Sequence, residues 1–143
     1  MQEPITMTRT LVLLFSVATV TSSLAADLDV RLTRVANDKG QILVAVFDSE
    51  DGWDGRAKAR AAQRVDASKG QVDLRFPDLE PGRYGVLVMH DENGNGTLDK
   101  TVLGIPKEGY GFSNNPRLMR RARFDEAVFE LPEGGNRIEV EMR

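Results

Sequence analysis

The chain has 143 residues, with 19 Lys and Arg against 22 Asp and Glu and a formal net charge of −3. This mild negative balance argues against nucleic acid as a partner, because proteins grip nucleic acid through basic faces. The chain contains no cysteine and one histidine, so disulfides are excluded, and structural zinc, which needs about four N or S ligands, is nearly excluded. Oxygen ligands remain plentiful, and they suit hard ions such as calcium.

The first 25 residues have the pattern of a signal peptide. Arg9 precedes the apolar run 11–20, and the stretch 23–25, SLA, satisfies an A-x-A-like cleavage rule. The apolar core of about ten residues is too short to cross a bilayer, which takes roughly 20 helical residues. We therefore predict a signal peptide over 1–25 and export to the periplasm or out of the cell. The mature chain, 26–143, should form a single domain with no transmembrane span.

The mature chain begins with two predicted strands. Apolar residues alternate with polar ones over 28–32, the period-two pattern of a strand with one wet face. After turn residues at 37–40, the run 42–47 is apolar on both faces, as in a central strand. We expect these two strands to form a hairpin. Residues 56–64, RAKARAAQR, lack an apolar stripe and predict a crossing loop with one helical turn.

The pattern continues in short strands to the C-terminus. Alternation over 72–76 and a two-faced apolar run over 84–89 predict two strands on either side of the turn 77–82. Residues 122–131 are a weaker candidate, whereas 138–142 alternate clearly. Because no long segment has a helical period, all-helical and doubly wound folds are excluded. We predict an all-β fold, an antiparallel β-sandwich of six to seven strands with a long acidic loop at one end.

The acidic loop follows the fourth of these strands, in the stretch HDENGNGTLD over 90–99. Calcium binds about six to eight oxygens, and a twelve-residue loop supplies them from positions 1, 3, 5, 7, 9 and 12, with glycine at position 6. Counted from Asp91, the segment meets the template through position 9. The predicted calcium ligands are Asp91, Asn93, Asn95, Thr97 through its carbonyl, and Asp99.

The last position of the template is not met. Val102 stands where the bidentate glutamate belongs, so Glu108, the acids of 48–54 or water would have to supply the missing ligand. The alternative is a plain hairpin turn, because Asn-Gly pairs tolerate positive φ and the carboxylates would simply be solvated. Against that alternative, oxygen-bearing side chains recur here at every second position, which a turn does not need.

A second loop has the composition of a recognition surface. The segment 108–115, EGYGFSNN, combines glycines, aromatic rings and amides. The alternative is that the segment folds over the end of the sandwich and completes the core with its two aromatic rings. The residues predicted to contact a partner are Tyr110, Phe112, Ser113 and Asn114.

Two long stretches of the chain resemble a known family. DLEPGRYGVLVMHDENGNGTLD, followed by LGIPKEGYGFSNN, closely resembles the bacterial secreted family of domain of unknown function 2141, over essentially the whole mature chain. The LEPGRY turn is also similar to that of transthyretin-like and collagen-adhesin B-type sandwiches, some of which carry D-x-N-x-N-G calcium loops. The resemblance implies a transthyretin-like or immunoglobulin-like sandwich and strengthens the expectation of calcium.

The segment PRLMRRARF departs from this family, in which a more neutral link is expected. Its basic side chains could dock an anionic partner such as a membrane headgroup or a polysaccharide. The alternative is a solvated loop whose arginines pair with nearby acids. The four arginines are Arg117, Arg120, Arg121 and Arg123.

Three functions follow from these features. The first is an exported, non-catalytic module, stabilised by calcium, that presents the 108–115 loop to an envelope protein or glycan. The second is a structural accessory of an envelope complex, without metal. The third is a hydrolase that uses His90, Asp91 and Ser113, which the single histidine and the absence of a G-x-S-x-G elbow disfavour. The oligomeric state is left open.

Overall fold

The computed structural model describes residues 25–143, so the predicted signal peptide, apart from residue 25, lies outside the described residues. The described part folds into eight strands and two helices of one turn. They are β1 (Ala26–Val35), β2 (Gln41–Phe47), α1 (Glu50–Trp53), β3 (Ala61–Asp66), β4 (Gly70–Leu79), β5 (Gly82–Asp91), β6 (Tyr110–Phe112), α2 (Phe124–Ala127), β7 (Phe129–Leu131) and β8 (Asn136–Glu141).

The strands form two sheets, which confirms the predicted all-β sandwich. The smaller sheet has the order β4-β1-β8, and the larger has the order β3-β2-β5-β6, with β7 also pairing with β5. Between the sheets lies a core of alternating apolar side chains. The fully buried ones at its centre are Leu28, Val30, Leu32, Ile42, Val44, Val46, Val86 and Val88.

The predicted hairpin of the first two strands is wrong. Strand β1 pairs with β4 and β8, whereas β2 pairs with β3 and β5 in the other sheet. The turn residues 37–40 therefore carry the chain across the core. Both strands need to bury one apolar face, and stacking them across the core satisfies this need as well as pairing them would.

One strand pairing departs from the otherwise antiparallel arrangement of the sandwich. Strands β1 and β8 run parallel, with Leu28 beside Asn136 and Leu32 beside Val140. Hairpin connections impose antiparallel pairing, but β1 and β8 lie near the two ends of the described chain, and β8 enters the smaller sheet after β7 has paired in the larger one. No turn therefore fixes their relative direction.

The segment 56–64 does not form the predicted helical turn. Strand β3 begins at Ala61 and pairs with β2, with Val65 beside Ile42. The open edge of β2 supplies hydrogen bonds to this segment, and this outweighs the helix propensity of its Ala and Arg residues. A helical turn lies just before it, in α1, where the Ser49 hydroxyl accepts a hydrogen bond from the Gly52 amide at 3.2 Å.

A second apolar cluster covers the outer face of the larger sheet. Trp53 is buried in it, and its Nε1–H donates to the Ala122 carbonyl at 2.9 Å. Phe47 of β2 and Leu87 of β5 pack against this cluster from the sheet. This packing explains why β2 and β5 are apolar on both faces, since one face meets the main core and the other meets the Trp53 cluster.

Over residues 25–143, the structure contains no helix with the length and apolar character needed to cross a bilayer.

The two faces of β2 should differ in their contribution to stability. Ile42 is completely buried in the main core, whereas Leu43 lies on the outer face and is half-buried. We expect Ile42→Ala to lower the free energy of unfolding by about 2 to 5 kcal/mol, because it leaves a cavity between the sheets. Leu43→Ala should cost less than about 1.5 kcal/mol, because less apolar surface is lost. Urea denaturation of both variants tests this, and equal losses would contradict the assigned faces.

Candidate functional site

The acidic loop is the long connection between β5 and β6. Strand β5 ends at Asp91, and the chain returns to its edge at Tyr110. The base of the loop packs against the turn before β2, where a Cβ on Gly40 would lie 2.0 Å from the Asp91 carbonyl oxygen. Gly40 also has a φ of +65°, which glycine adopts without strain. The start of the loop is therefore held closely against the body of the sandwich.

The carboxylate of Asp91 is fully buried, and the loop winds around it. Its Oδ1 accepts hydrogen bonds from the amides of Gly94 at 2.9 Å and Asn95 at 3.1 Å, and its Oδ2 accepts from Gly96 at 2.8 Å. Burial of a carboxylate is costly unless such hydrogen bonds replace water. Gly94 and Gly96 both have a φ of +76°, and this left-handed backbone gives the loop its curvature.

Glu108 closes the same loop at its other end. Only 7% of the residue is exposed, and its Oε1 accepts from the Glu92 amide at 2.9 Å. Its Oε2 accepts from the Asp99 amide, also at 2.9 Å. One side chain therefore ties the first and last residues of the 92–99 segment together.

Three further predicted ligands converge within the loop. The Nδ2 groups of Asn93 and Asn95 donate to the two carboxylate oxygens of Asp99, at 2.5 and 2.8 Å. The Asn95 amide hydrogen is shared between Oδ1 of Asp91 and Oδ1 of Asn93, both at 3.1 Å. The Asn95 Oδ1 accepts from the amide and hydroxyl of Thr97. The side chains therefore bond to one another, while Asn93, Asn95 and Thr97 remain exposed to solvent.

The loop fits calcium only in part. In the described residues, no three or more Asp, Glu, His or Cys side chains cluster in a way that could hold a metal. The loop instead offers two carboxylates, Asp91 and Asp99, beside two amides whose nitrogens face Asp99. Rotation of each amide about χ2 would exchange nitrogen for oxygen, and a carbonyl oxygen has two lone pairs. Asp91, Asn93, Asn95 and Asp99 can therefore supply oxygens to an ion, and the Thr97 carbonyl and water would complete the set.

The side chains that were candidates for the missing twelfth ligand do not fill it. Both oxygens of Glu108 accept backbone amides, so this residue acts as a clamp. The acids of 48–54 follow the end of β2 that pairs with Gly85, whereas Asp91 pairs at the opposite end of β2, about 20 Å away at strand spacing. Val102 points into solvent and is completely exposed.

The sequence of the chain matches one family of known proteins. A family model described as an uncharacterized protein conserved in bacteria, DUF2141, matches residues 30–139. The chain belongs to the DUF2141 family. No curated protein and no solved structure matches it. The resemblance to transthyretin-like sandwiches therefore stays a prediction.

In this DUF2141 protein, half of the predicted recognition loop is inaccessible. Phe112 belongs to β6 and is buried in the Trp53 cluster, and Ser113 is fully buried. The Ser113 hydroxyl accepts from the Val86 amide at 2.9 Å and donates to the Ala127 carbonyl at 2.5 Å. These residues complete the interior because the segment pairs with β5, so they cannot contact a partner. Tyr110 and Asn114 keep exposed surface.

The residues of the hydrolase alternative are not brought together. Ser113 lies beside Val86 and His90 lies beside Gly109, four positions apart along β5, which corresponds to about 13 Å. His90 is fully buried, and its Nε2 lies 2.7 Å from the Lys39 carbonyl, to which it donates. Its Nδ1 has no hydrogen-bond partner within the described chain. A nucleophile needs its base within about 3 Å, so this geometry does not support hydrolysis.

Two of the four arginines of the basic segment pair with neighbouring acids. Arg120 forms a bidentate pair with Glu126 at 2.7 and 2.8 Å, and Arg123 pairs with Asp125 at 3.1 Å. Arg121 lies over the Trp53 ring, 5.6 Å from its centroid. Arg117 is exposed and forms no ion pair with another described residue. Local pairing therefore accounts for Arg120 and Arg123.

The Arg120 pair should make stability depend on pH. Hydrogen bonds from Arg120, and one from the Arg123 amide, lower the pKa of Glu126 from 4.5 to about 2. A lowered pKa in the folded state contributes stability above pH 4.5, and this contribution is lost as the pH falls through 2. We expect Glu126→Gln to lower the melting temperature at pH 7 and to match the parent protein near pH 2. Glu133→Gln is the control at an exposed acid, and a loss of equal size at both pH values would contradict the role of this pair.

Proposed function

We propose that this protein is an exported, non-catalytic β-sandwich module whose 91–99 loop binds calcium. The observation that carries the proposal is the convergence of the Asn93 and Asn95 amides on the Asp99 carboxylate, beside an Asp91 carboxylate that holds the loop in shape. Export is proposed from the sequence pattern of residues 1–25, which implies a place in the periplasm or outside the cell.

Within this proposal, the site should bind calcium with low affinity, because Asp91 and Glu108 already accept hydrogen bonds from the loop backbone. Glu108 is used as a clamp, three of the acceptor positions of Asp91 are taken by amides, and no bidentate glutamate is present. Fewer charged ligands give lower affinity, and calcium loops of extracellular modules bind in the range of about 0.1 to 1 mM. An exported protein meets calcium at such concentrations.

The role of the ion would be to stiffen the loop and thereby the surface around it. Tyr110 and Asn114, which keep exposed surface, lie on the strand and turn that follow the loop. An envelope protein or a glycan that contacts this end of the sandwich would then meet a less mobile surface. A stiffened surface loses less conformational entropy when a partner binds.

Calcium should raise the melting temperature of the mature chain. At a free calcium concentration ten times Kd, linkage adds about 1.4 kcal/mol to the free energy of unfolding. For a domain of this size that corresponds to roughly 5 °C in melting temperature. The measurement is differential scanning calorimetry in chelator and in millimolar calcium, with magnesium at equal ionic strength as the ion control. Identical melts in chelator and calcium would remove the metal from the proposal.

Two variants separate the ligand from the clamp. Asp99→Asn removes a half-buried carboxylate that would bind the ion but keeps a group of the same shape, so it should abolish the calcium-dependent rise and change the melt in chelator little. Glu108→Gln replaces one carboxylate oxygen with an NH2 group that cannot accept, so either the Glu92 or the Asp99 amide loses its partner. The melting temperature should therefore fall by a similar amount with and without calcium. A calcium response that survives Asp99→Asn but is lost in Glu108→Gln would contradict these assignments.

One observation favours a second function, that of a structural accessory without metal. The carboxylates of Asp91 and Glu108 already satisfy five backbone amides, so the loop has a complete hydrogen-bonding scheme with no ion. An accessory would remain with its complex when membranes are extracted in chelator. Co-purification of the native protein with a stable set of envelope proteins in chelator, together with an unchanged melt, would favour this function over the first.

A further inference from the structure

A tight turn beyond the acidic loop exposes apolar side chains at its tip. The Thr101 amide donates to the Ile105 carbonyl at 2.7 Å, and the Gly104 amide donates to the Thr101 carbonyl at 2.9 Å. Between Thr101 and Gly104 lie Val102 and Leu103, whose side chains are 104% and 83% exposed. Such positions usually hold Gly, Pro, Asn, Asp or Ser, which turn geometry favours. The backbone of this turn therefore gives no reason for two large apolar residues.

Two further apolar side chains extend the same surface. Ile105 is 59% exposed, and Met119 of the basic segment is 105% exposed. With Val102 and Leu103 they make up the exposed large apolar side chains of the part of the chain that the structure describes. Met119 lines one groove of about 380 Å³ together with Gly104 and Pro106 of the turn segment. Met119 therefore lies across this groove from the turn that carries the other three apolar side chains. We call Val102, Leu103, Ile105 and Met119 the apolar tip.

Basic side chains lie beside the apolar tip. Lys100 and Lys107 stand on the two arms of the turn, which are joined by the bridge between Lys100 and Pro106. Both lysines are exposed, and neither forms an ion pair with another described residue. Arg121 lines the groove, as does Arg120, whose charge is already paired with Glu126. The acids closest in sequence, Asp99 and Glu108, are engaged inside the loop by hydrogen bonds.

This combination points to one kind of partner. Exposed apolar side chains on a turn that has a lysine on each arm match an anionic bilayer, where the apolar groups enter the acyl region and the amines reach the headgroups. A second copy of the chain is a poorer match, because a stable interface needs about 800 Å² per partner and a tip of four side chains is far smaller. The net charge of −3 gives the chain as a whole no attraction to an anionic bilayer. The attraction would therefore come from the basic side chains beside the apolar tip.

We propose that the apolar tip docks this protein on the surface of an anionic lipid bilayer, by insertion of Val102, Leu103, Ile105 and Met119 between headgroups that Lys100 and Lys107 contact. Docking of this kind is peripheral and reversible, because so few side chains enter the bilayer. The inference does not rest on calcium binding in the 91–99 loop, since the apolar tip is exposed and hydrogen-bonded without an ion.

The experiment uses the mature chain, residues 26–143, which contains the core described above. Because the chain has no cysteine, Leu103→Cys can carry a single environment-sensitive dye, and Lys58→Cys is the matched control on an exposed loop after α1. Vesicles of phosphatidylcholine mixed equally with phosphatidylglycerol should shift the emission of the dye at 103 to the blue. The dye at 58 should not respond, and vesicles of phosphatidylcholine alone should give a much smaller shift at 103.

Unlabelled variants then measure the two contributions by vesicle sedimentation. The double change Val102→Ser with Leu103→Ser should weaken binding by about tenfold or more, because it removes most of the inserted apolar surface. The double change Lys100→Glu with Lys107→Glu should reduce binding to anionic vesicles, and added salt should reduce binding of the parent protein, whereas Lys58→Glu should have little effect. All these positions are exposed, so the variants should keep the stability of the parent protein. Melting temperatures within about 2 °C of the parent's, which corresponds to roughly half a kcal/mol in the free energy of unfolding, would show that they fold.

Three outcomes would overturn the proposal. The parent chain would not bind anionic vesicles better than zwitterionic ones, or the serine variant would bind as well as the parent. The third outcome is a dimer in sedimentation velocity without vesicles that the serine variant abolishes, since this would show that a second copy covers the apolar tip. A failed calcium melt would leave the vesicle result unaffected, so the two proposals can fail separately.

Discussion

The buried carboxylate of Asp91 must be satisfied by hydrogen bonds, because a charged group without them is very costly inside a protein. The eighteen-residue connection between β5 and β6 is arranged around that requirement: three amides of the loop donate to Asp91, and Glu108 binds the amides on either side of them. Long connections without such anchors are usually mobile. Here two acids replace the apolar contacts that a loop of this composition cannot make.

The anchored loop has consequences for what lies beyond it. Because Asp99 is held at the Glu108 clamp and its carbonyl accepts the Lys107 amide at 2.8 Å, the turn that follows starts from a defined base. The acidic part of the connection faces inward on itself, and the apolar tip faces solvent. The connection between β5 and β6 therefore contains two distinct parts, an oxygen-rich loop and an apolar turn. Because they do not share side chains, the calcium and lipid proposals can be tested independently.

Strand β5 places these features on the sandwich. It pairs with β2, β6 and β7, and its two faces meet the main core and the Trp53 cluster. The segment after β6 returns along the outer face to bury Trp53, and this return brings Met119 and Arg120 to the groove beside the turn. The same packing makes Phe112 and Ser113 internal. Tertiary packing therefore buries part of the predicted recognition loop and brings together the residues of the apolar tip.

The sequence by itself determined the strands with regular alternation, the sandwich class, the turn residues and the position of the oxygen-rich loop, because these depend on local periodicity and composition. Local patterns do not record which sheet a strand joins, so the pairing of β1 and β2 and the parallel β1–β8 contact were decided by how two apolar faces stack. Short edge strands such as β3 depend on a neighbour's free hydrogen bonds and leave little periodic signal. The role of Glu108 as a clamp, the burial of Ser113 and the meeting of Met119 with the 101–105 turn were likewise decided only by the tertiary structure, because each needs residues distant in sequence to lie side by side.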